Sequence, residues 1–239
     1  MFTGNTARNY DSWYETKQGR FIDLVETEAA FDLITLSPGA KVLDAGSGTG
    51  NFSIKLAEHG YLVTGIDISS DMLNIARKKC MAKGLKVDLE TMNIEHLLFP
   101  DNYFDAAFSM AAFEFIADPE PAYRELYRVV KPGGQILIGT INRDSLWGKT
   151  YMEEASKNAD SVFKHAYFKN LEELADVDRI NLRASRQCLY VPPQAPEEYF
   201  DLEHENRLAT EHTGGFIICL WQKPYKHVTR LHGDVLFVT

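Results

Sequence analysis

Lys41-Val42-Leu43-Asp44-Ala45-Gly46-Ser47-Gly48-Thr49-Gly50-Asn51 is the stretch that decides the fold. A short apolar run, Val42 and Leu43, ends in an acid. Three glycines follow at alternate positions, and a helical pattern starts directly after them. Strand, glycine turn and helix in that order make the ligand-binding corner of an open α/β sheet. Glycine allows φ > 0 and lets a ligand approach the backbone closely. The next helix then aims its free N–H groups at that ligand.

Outward from this corner, β and α patterns alternate from 41 to 140. After the strand Lys41–Asp44 comes a helix, Asn51–His59, with Gly60 as its stop. A second strand, Tyr61–Asp67, is apolar enough for burial in a parallel sheet. Ser69-Ser70-Asp71 caps a helix running to Met81, and strands follow at Lys86–Thr91 and Phe104–Ser109. Asp118-Pro119 starts a helix with proline in its first turn. Lys131-Pro132-Gly133-Gly134 reads as a turn before the strand Gln135–Thr140. Later strands are expected at Asn181–Val191 and Gly215–Gln222, with an edge strand at Val235–Val238. The expected fold is α/β: a doubly wound, seven-stranded, mostly parallel sheet. We read one domain over 1–239. An N-terminal helical flap covers 1–36, a cofactor-binding core 37–140, and a substrate-side lid with C-terminal strands 141–239. Tyr10, Trp13 and Tyr14 share one helical face in the flap. That face either packs on the core or closes over a ligand.

Composition bounds the rest. The chain has 239 residues, 45% apolar and 25% charged, with net charge −9. These are the proportions of an ordinary soluble globular protein with a sizeable core. The acidic balance, with no basic run longer than Arg77-Lys78-Lys79, speaks against nucleic acid as a partner. No apolar stretch is long enough for a membrane span. Three scattered cysteines, Cys80, Cys188 and Cys219, suit a reducing, cytoplasmic setting. No His, Asp or Glu cluster has metal-ligand spacing, so no metal is expected.

Two cofactors suit a glycine loop followed, about twenty residues on, by an acid placed to bind a ribose diol, here Asp67. The dinucleotide fingerprint is GxGxxG, but Asn51 stands where the third glycine belongs. Asp44 would also set a negative charge beside a pyrophosphate. S-adenosylmethionine carries a sulfonium and an α-ammonium and no phosphate, so it suits this loop better than a nicotinamide dinucleotide.

VLDAGSGTG at 42–50 resembles motif I of the class I S-adenosylmethionine-dependent methyltransferases. The likeness continues in order through VTGIDIS, DMLNIAR, FPDNYFDAAFS and the RVVKPGG turn, and reaches weakly to Tyr10-Asp11. It is similar to the group holding quinone-biosynthesis and many other small-molecule methyltransferases. The resemblance implies that Ala45, Gly46, Ser47 and Gly48 run along the methionine part of the cofactor. Asp44 would lie near its ammonium and Asp67 would bind the ribose. Ile68, Asn93 and Ile94 would surround the adenine, with Asn93 replacing an acid common in relatives. Ser109 and Met110 would lie beside the methionine and sulfonium, and Tyr10 would approach the sulfonium with its ring.

The expected reaction is in-line transfer of the methyl group to a small-molecule acceptor. Such a reaction needs positioning first and a general base only for some acceptors. Base candidates are Glu114 after the fourth strand, His165 in the lid, and Tyr10. Trp147 and Arg143, after the fifth strand, are further candidates for the acceptor pocket. The alternatives are a non-catalytic S-adenosylmethionine-binding protein and a nicotinamide-dependent oxidoreductase on a similar sheet. Either a monomer or a homodimer is compatible with the sequence.

Overall fold

The computed structural model describes residues 4–225 and the short strands at 228–230 and 236–238. Seven strands form one sheet: β1 (Lys41–Ala45), β2 (Leu62–Asp67), β3 (Val87–Thr91), β4 (Phe104–Met110), β5 (Val130–Ile141), β6 (Leu182–Cys188) and β7 (Phe216–Gln222). Their order is β3-β2-β1-β4-β5-β7-β6. The first five pair in parallel, while β7 is antiparallel to both β5 and β6. The strand order reverses between β1 and β4, and a crevice for ligands opens at such a switch point.

Most of the longer helices start where the sequence provides a side-chain cap. Ser69 accepts from the Met72 amide and begins α4 (Ser70–Ala82). Asp118 accepts from Glu120 and begins α5 (Pro119–Val129), with a proline in its first turn. Caps of this kind each contribute about 1 kcal/mol. The N-terminal pair is α1 (Gly4–Tyr14) and α2 (Lys17–Leu33). Thr16 caps α2 by accepting from the Gly19 amide. The loop after β1 leads directly into α3 (Asn51–Glu58). Beyond β5 lie α6 (Leu146–Lys157), α7 (Leu171–Ala175) and α8 (Leu202–Leu208).

Two apolar clusters cover the two faces of the sheet. One joins Phe21, Ile22, Val25 and Ala29 of α2 to Leu56, Phe108 and Phe216. The other joins Tyr123 and Leu126 of α5 and Leu174 of α7 to Leu43, Ile136 and Trp221.

Two expectations change. Lys131–Gly134 is not a turn ahead of the strand but part of a continuous β5. Phe104 pairs with Val130 and Ala106 with Gln135, so the extra residues leave the ladder as a bulge, where Gly133 has φ +80°. The C-terminal strand does not extend the main sheet. Its described part, β9 (Leu236–Val238), pairs with β8 (Val228–Arg230) in a separate two-stranded ribbon. Val235 lies outside the described residues.

Candidate functional site

A cavity of about 670 Å3 opens at the carboxyl ends of β1, β2 and β4. The glycine loop forms its floor. Gly46, Gly48 and Gly50 have φ of 82°, 53° and 82°, a region that suits only glycine without strain. The Gly46 and Ser47 amides both donate to the Ile66 carbonyl at 2.8 Å, which ties the loop to the end of β2. A Cβ on Gly46 would stand 2.4 Å from the Ala112 Cβ, so the loop and the segment after β4 touch here. Gly65 in β2 serves a similar purpose: a Cβ there would meet Leu89 at 2.8 Å and the Ser53 hydroxyl at 2.9 Å.

Two carboxylates on this floor are held in place. Asp44 is buried and accepts from the Ser53 hydroxyl at 2.5 Å. Burial pushes its pKa up to about 6, against the Ser53 hydrogen bond, and the nearby Asp67 adds to the rise. Asp67 accepts from the Gly48 amide at 2.9 Å and the Ser69 amide at 2.8 Å, one on each oxygen. Burial raises its pKa, and those amides oppose the rise.

Most residues singled out from sequence line this cavity: Tyr10, Asp44, Gly46, Ser47, Gly48, Asp67, Ile68, Asn93, Ile94, Met110 and His165. Ala45 and Ser109 do not. Both are fully enclosed, and the Ser109 hydroxyl donates to the Ala45 carbonyl at 2.7 Å. Strand alternation turns Met110 into the cavity and leaves Ser109 tying β4 to β1. The Asn93 carbonyl, which the resemblance assigns to adenine, already accepts from the Glu95 amide at 2.9 Å in an Asx-type turn. One lone pair remains on it.

Glu114 sits behind the cavity wall, not on it. It lies in a single turn of 3-10 helix, is 2% exposed, and accepts from the Thr140 hydroxyl at 2.9 Å. Burial lifts its pKa to about 7, with the Thr140 bond and Lys169 pulling the other way. Lys169 is itself committed to the carbonyls of Phe113, Ile116 and Tyr167. His165 is at the exposed end of the short helix 162–165. Neither Trp147 nor Arg143 lines the cavity. The Trp147 indole donates to the Val191 carbonyl at 2.8 Å, and Arg143 pairs with Glu173 at 2.9 Å. Residues 193–215 do not line it either. Their Glu205 accepts from the amides of Leu189, Tyr190 and Val191 and so fixes the turn after β6.

The N-terminal helix lies against the cavity. Tyr10 and Tyr14 line the cavity, their hydroxyls 3.3 Å apart, while Trp13 packs edge-on against Tyr14 at the surface. Burial pushes the Tyr10 hydroxyl up to about 12. Asp11 fastens the helix to the floor, accepting from Thr49 at 2.6 Å and from Lys79 of α4 at 2.9 Å.

Three of the lining residues that the sequence reading does not assign to the site bear on its chemistry. Ala111 follows β4 with φ +53°, an unusual conformation for a residue with a Cβ, directly at the cavity. Tyr14, on the aromatic face of α1, lines the cavity beside Tyr10. Glu26 of α2 also lines the cavity, and its carboxylate has no hydrogen bond or ion pair among the described residues. Its signal was present: it stands between Ile22 and Ala29 on the helix face that α2 buries.

The donor set fits a positively charged, hydroxyl-bearing ligand. Six carboxylates line the cavity (Glu26, Asp44, Asp67, Glu95, Asp118 and Asp160) and no lysine or arginine does among the described residues. The Ser47 hydroxyl is buried in the glycine loop and lacks a partner there. A pyrophosphate would find no compensating cation.

The sheet order, the glycine corner and this acidic cavity define an α/β protein with a nucleoside-type site. Residues 43–138 match a family model described as a methyltransferase domain. An uncharacterised protein of Methanocaldococcus jannaschii is 34% identical over 171 residues, which are 72% of this chain and 75% of that protein. Phosphoethanolamine N-methyltransferase 2 of Caenorhabditis elegans is 38% identical over 143 residues, which are 59% of this chain and 31% of that enzyme. Among solved structures, a Thermotoga maritima protein described as a SAM-dependent methyltransferase and possible histamine N-methyltransferase superposes with TM-score 0.71 at 26% identity. The match covers 92% of this chain and 96% of that one. This chain belongs to the class I S-adenosylmethionine-dependent methyltransferases, and S-adenosylmethionine is the cofactor of that family. It spans under a third of the C. elegans relative and 62% of a Klebsiella pneumoniae ubiquinone biosynthesis O-methyltransferase.

Proposed function

We propose that this chain transfers a methyl group from S-adenosylmethionine to a small-molecule acceptor held in the same cavity. The observation that carries this reading is the pair of pre-positioned carboxylates, Asp44 and Asp67, at the sheet's switch point in a cavity whose described lining holds no phosphate-binding cation. When bound, the cofactor supplies a methyl carbon already activated on a sulfonium, so the protein's contribution is largely alignment.

Asp67, fixed by two amides, keeps free lone pairs for the ribose hydroxyls. Asp44 faces the ammonium. Gly46, Ser47 and Gly48 run along the methionine part, and the Ser47 hydroxyl gains the partner it lacks. Ile68 and Ile94 hold the adenine faces and Asn93 its edge. Met110 borders the reacting end, kept there by the Ser109–Ala45 bond beneath it. Tyr10 and Tyr14 shut out water from above. The division into a flap (1–36), a cofactor core (37–140) and a lid region (141–239) goes with this reading, as does a cytoplasmic setting for a chain whose three cysteines are buried and unpaired.

Calorimetry with S-adenosylhomocysteine and with NAD tests the cofactor. Binding of the first and not the second is expected, and the reverse would overturn the reading. Turnover of methyl-labelled cofactor with a metabolite pool tests the activity. Cofactor binding with no label transferred under any condition would point to a non-catalytic binding protein instead.

A further inference from the structure

Glu26 has no place in the cofactor assignment. It projects from α2 into the cavity, without a hydrogen bond or ion pair among the described residues. A carboxylate facing a cavity without a partner is costly to keep charged. The cationic group whose charge it feels, Lys55 of α3, is already paired with Asp23 and donates to Thr27 at 2.6 Å. Four rings line the same cavity, Tyr10, Tyr14, Phe52 and Phe115. Acid plus aromatic faces, with no described lysine or arginine, is the lining that attracts a small organic cation and repels an anion.

We propose that the methyl acceptor is a small primary or secondary amine, and that Glu26 binds its ammonium form and accepts its proton. The inference rests on the methyltransferase reading above. An ammonium nitrogen has no lone pair to give, so it must lose a proton before it can react. The acceptor passes one proton from nitrogen to a Glu26 carboxylate oxygen. The freed lone pair forms the new N–C bond as the methyl–sulfur bond breaks, with that bond's electron pair remaining on sulfur. The N-methylated product carries the positive charge away as an ammonium, and Glu26 returns its proton to solvent.

The surroundings of Glu26 favour this transfer. Burial holds its pKa well above the usual carboxylate range, closer to that of an alkylammonium than an exposed glutamate would be. Glu114, from the segment after β4, and Asp23, on its own helix, add to the rise, while Lys55 opposes it. Tyr10 and Tyr14 from α1, Tyr151 from α6 and Cys188 from β6 face the same carboxylate, and burial holds all four as neutral groups at physiological pH.

The test is binding of three ligands of similar size to the chain saturated with S-adenosylhomocysteine: benzylamine, benzyl alcohol and benzoate. Benzylamine is expected to bind at least tenfold more tightly than benzyl alcohol, and benzoate most weakly. In Glu26→Gln the benzylamine advantage should disappear while S-adenosylhomocysteine affinity is retained, which also shows that the variant folds. Glu26→Asp should recover part of it. In turnover, benzylamine methylation by Glu26→Gln should fall by at least tenfold in kcat and recover as pH rises towards the amine's own pKa. Equal binding of the alcohol or the anion, or an unchanged preference in Glu26→Gln, overturns the amine assignment and leaves the cofactor reading intact. Failure of S-adenosylhomocysteine to bind the native chain overturns both.

Discussion

On the side of the cavity built by β1, β2 and β4, each acid assigned to the cofactor already has a partner. Ser53 holds Asp44 at 2.5 Å, and two backbone amides hold Asp67. On the side built by α1 and α2, Glu26 has none among the described residues. A ligand that is the same at every turnover can be met by groups fixed in advance, which saves ordering entropy on binding. A group left without a partner stays available, and its desolvation cost is relieved only by the arriving ligand. On the proposed reading, the contrast separates the half of the site that holds the cofactor from the half that meets the acceptor.

The hardest test of the fixed half is Gly46→Val. Its side chain meets Ala112 and its φ of 82° is strained for any β-branched residue. A loss of about 2–4 kcal/mol in stability by urea denaturation is expected, together with complete loss of S-adenosylhomocysteine binding by calorimetry. Normal binding would show that the floor is not pre-organised. Next comes Asp67→Ala. Removal of a charged acceptor from two ribose hydroxyls should weaken S-adenosylhomocysteine about 10–100-fold, with the amine preference of the cavity unchanged. If that preference fell too, the two halves would not be separate.

Glu114, behind the wall between them, gives a pH test. Its carboxyl titrates at about 7 in the folded chain, against an ordinary value of 4.5. Between those values the folded chain holds a proton that the unfolded chain has released. The stability this provides is complete below about 4.5 and declines as pH rises to about 7. Native protein should therefore lose roughly 3 kcal/mol across that window relative to Glu114→Gln, whose amide keeps the bond from Thr140. Parallel urea midpoints for the two proteins would mean that Glu114 is ionised throughout. The smallest effect belongs to Asp11→Asn. Its contacts with Thr49 and Lys79 are partly exposed, so global stability should fall by less than about 1 kcal/mol. Amide exchange in α1 should still quicken measurably.

How much of this the sequence discloses follows the same divide. The fixed half is local. Residues 42–50, Asp67 and the 92–94 segment lie within a few residues of strand ends, and their spacing is set by strand and helix lengths. Caps such as Ser69 and Asp118 are equally local and were legible for the same reason. The continuous β5 was not, because a proline and two glycines read as a turn whether or not strand pairing resumes on the far side. Glu26 was hidden by its own helix. A single acid in an amphipathic run looks like a surface residue until the tertiary structure shows that its face turns inward. Ala45 and Ser109 lie off the cavity lining for a related reason: motif position does not tell which way a strand residue points.

The tie from Asp11 to Thr49 and Lys79 has a practical side. It makes α1 a removable panel of the site. Loss or crowding of that segment would take the rings of Tyr10 and Tyr14 out of the wall while every cofactor carboxylate stayed where it is. An assay on a shortened or N-terminally fused chain would then report an enzyme that holds its cofactor and has lost its discrimination among acceptors.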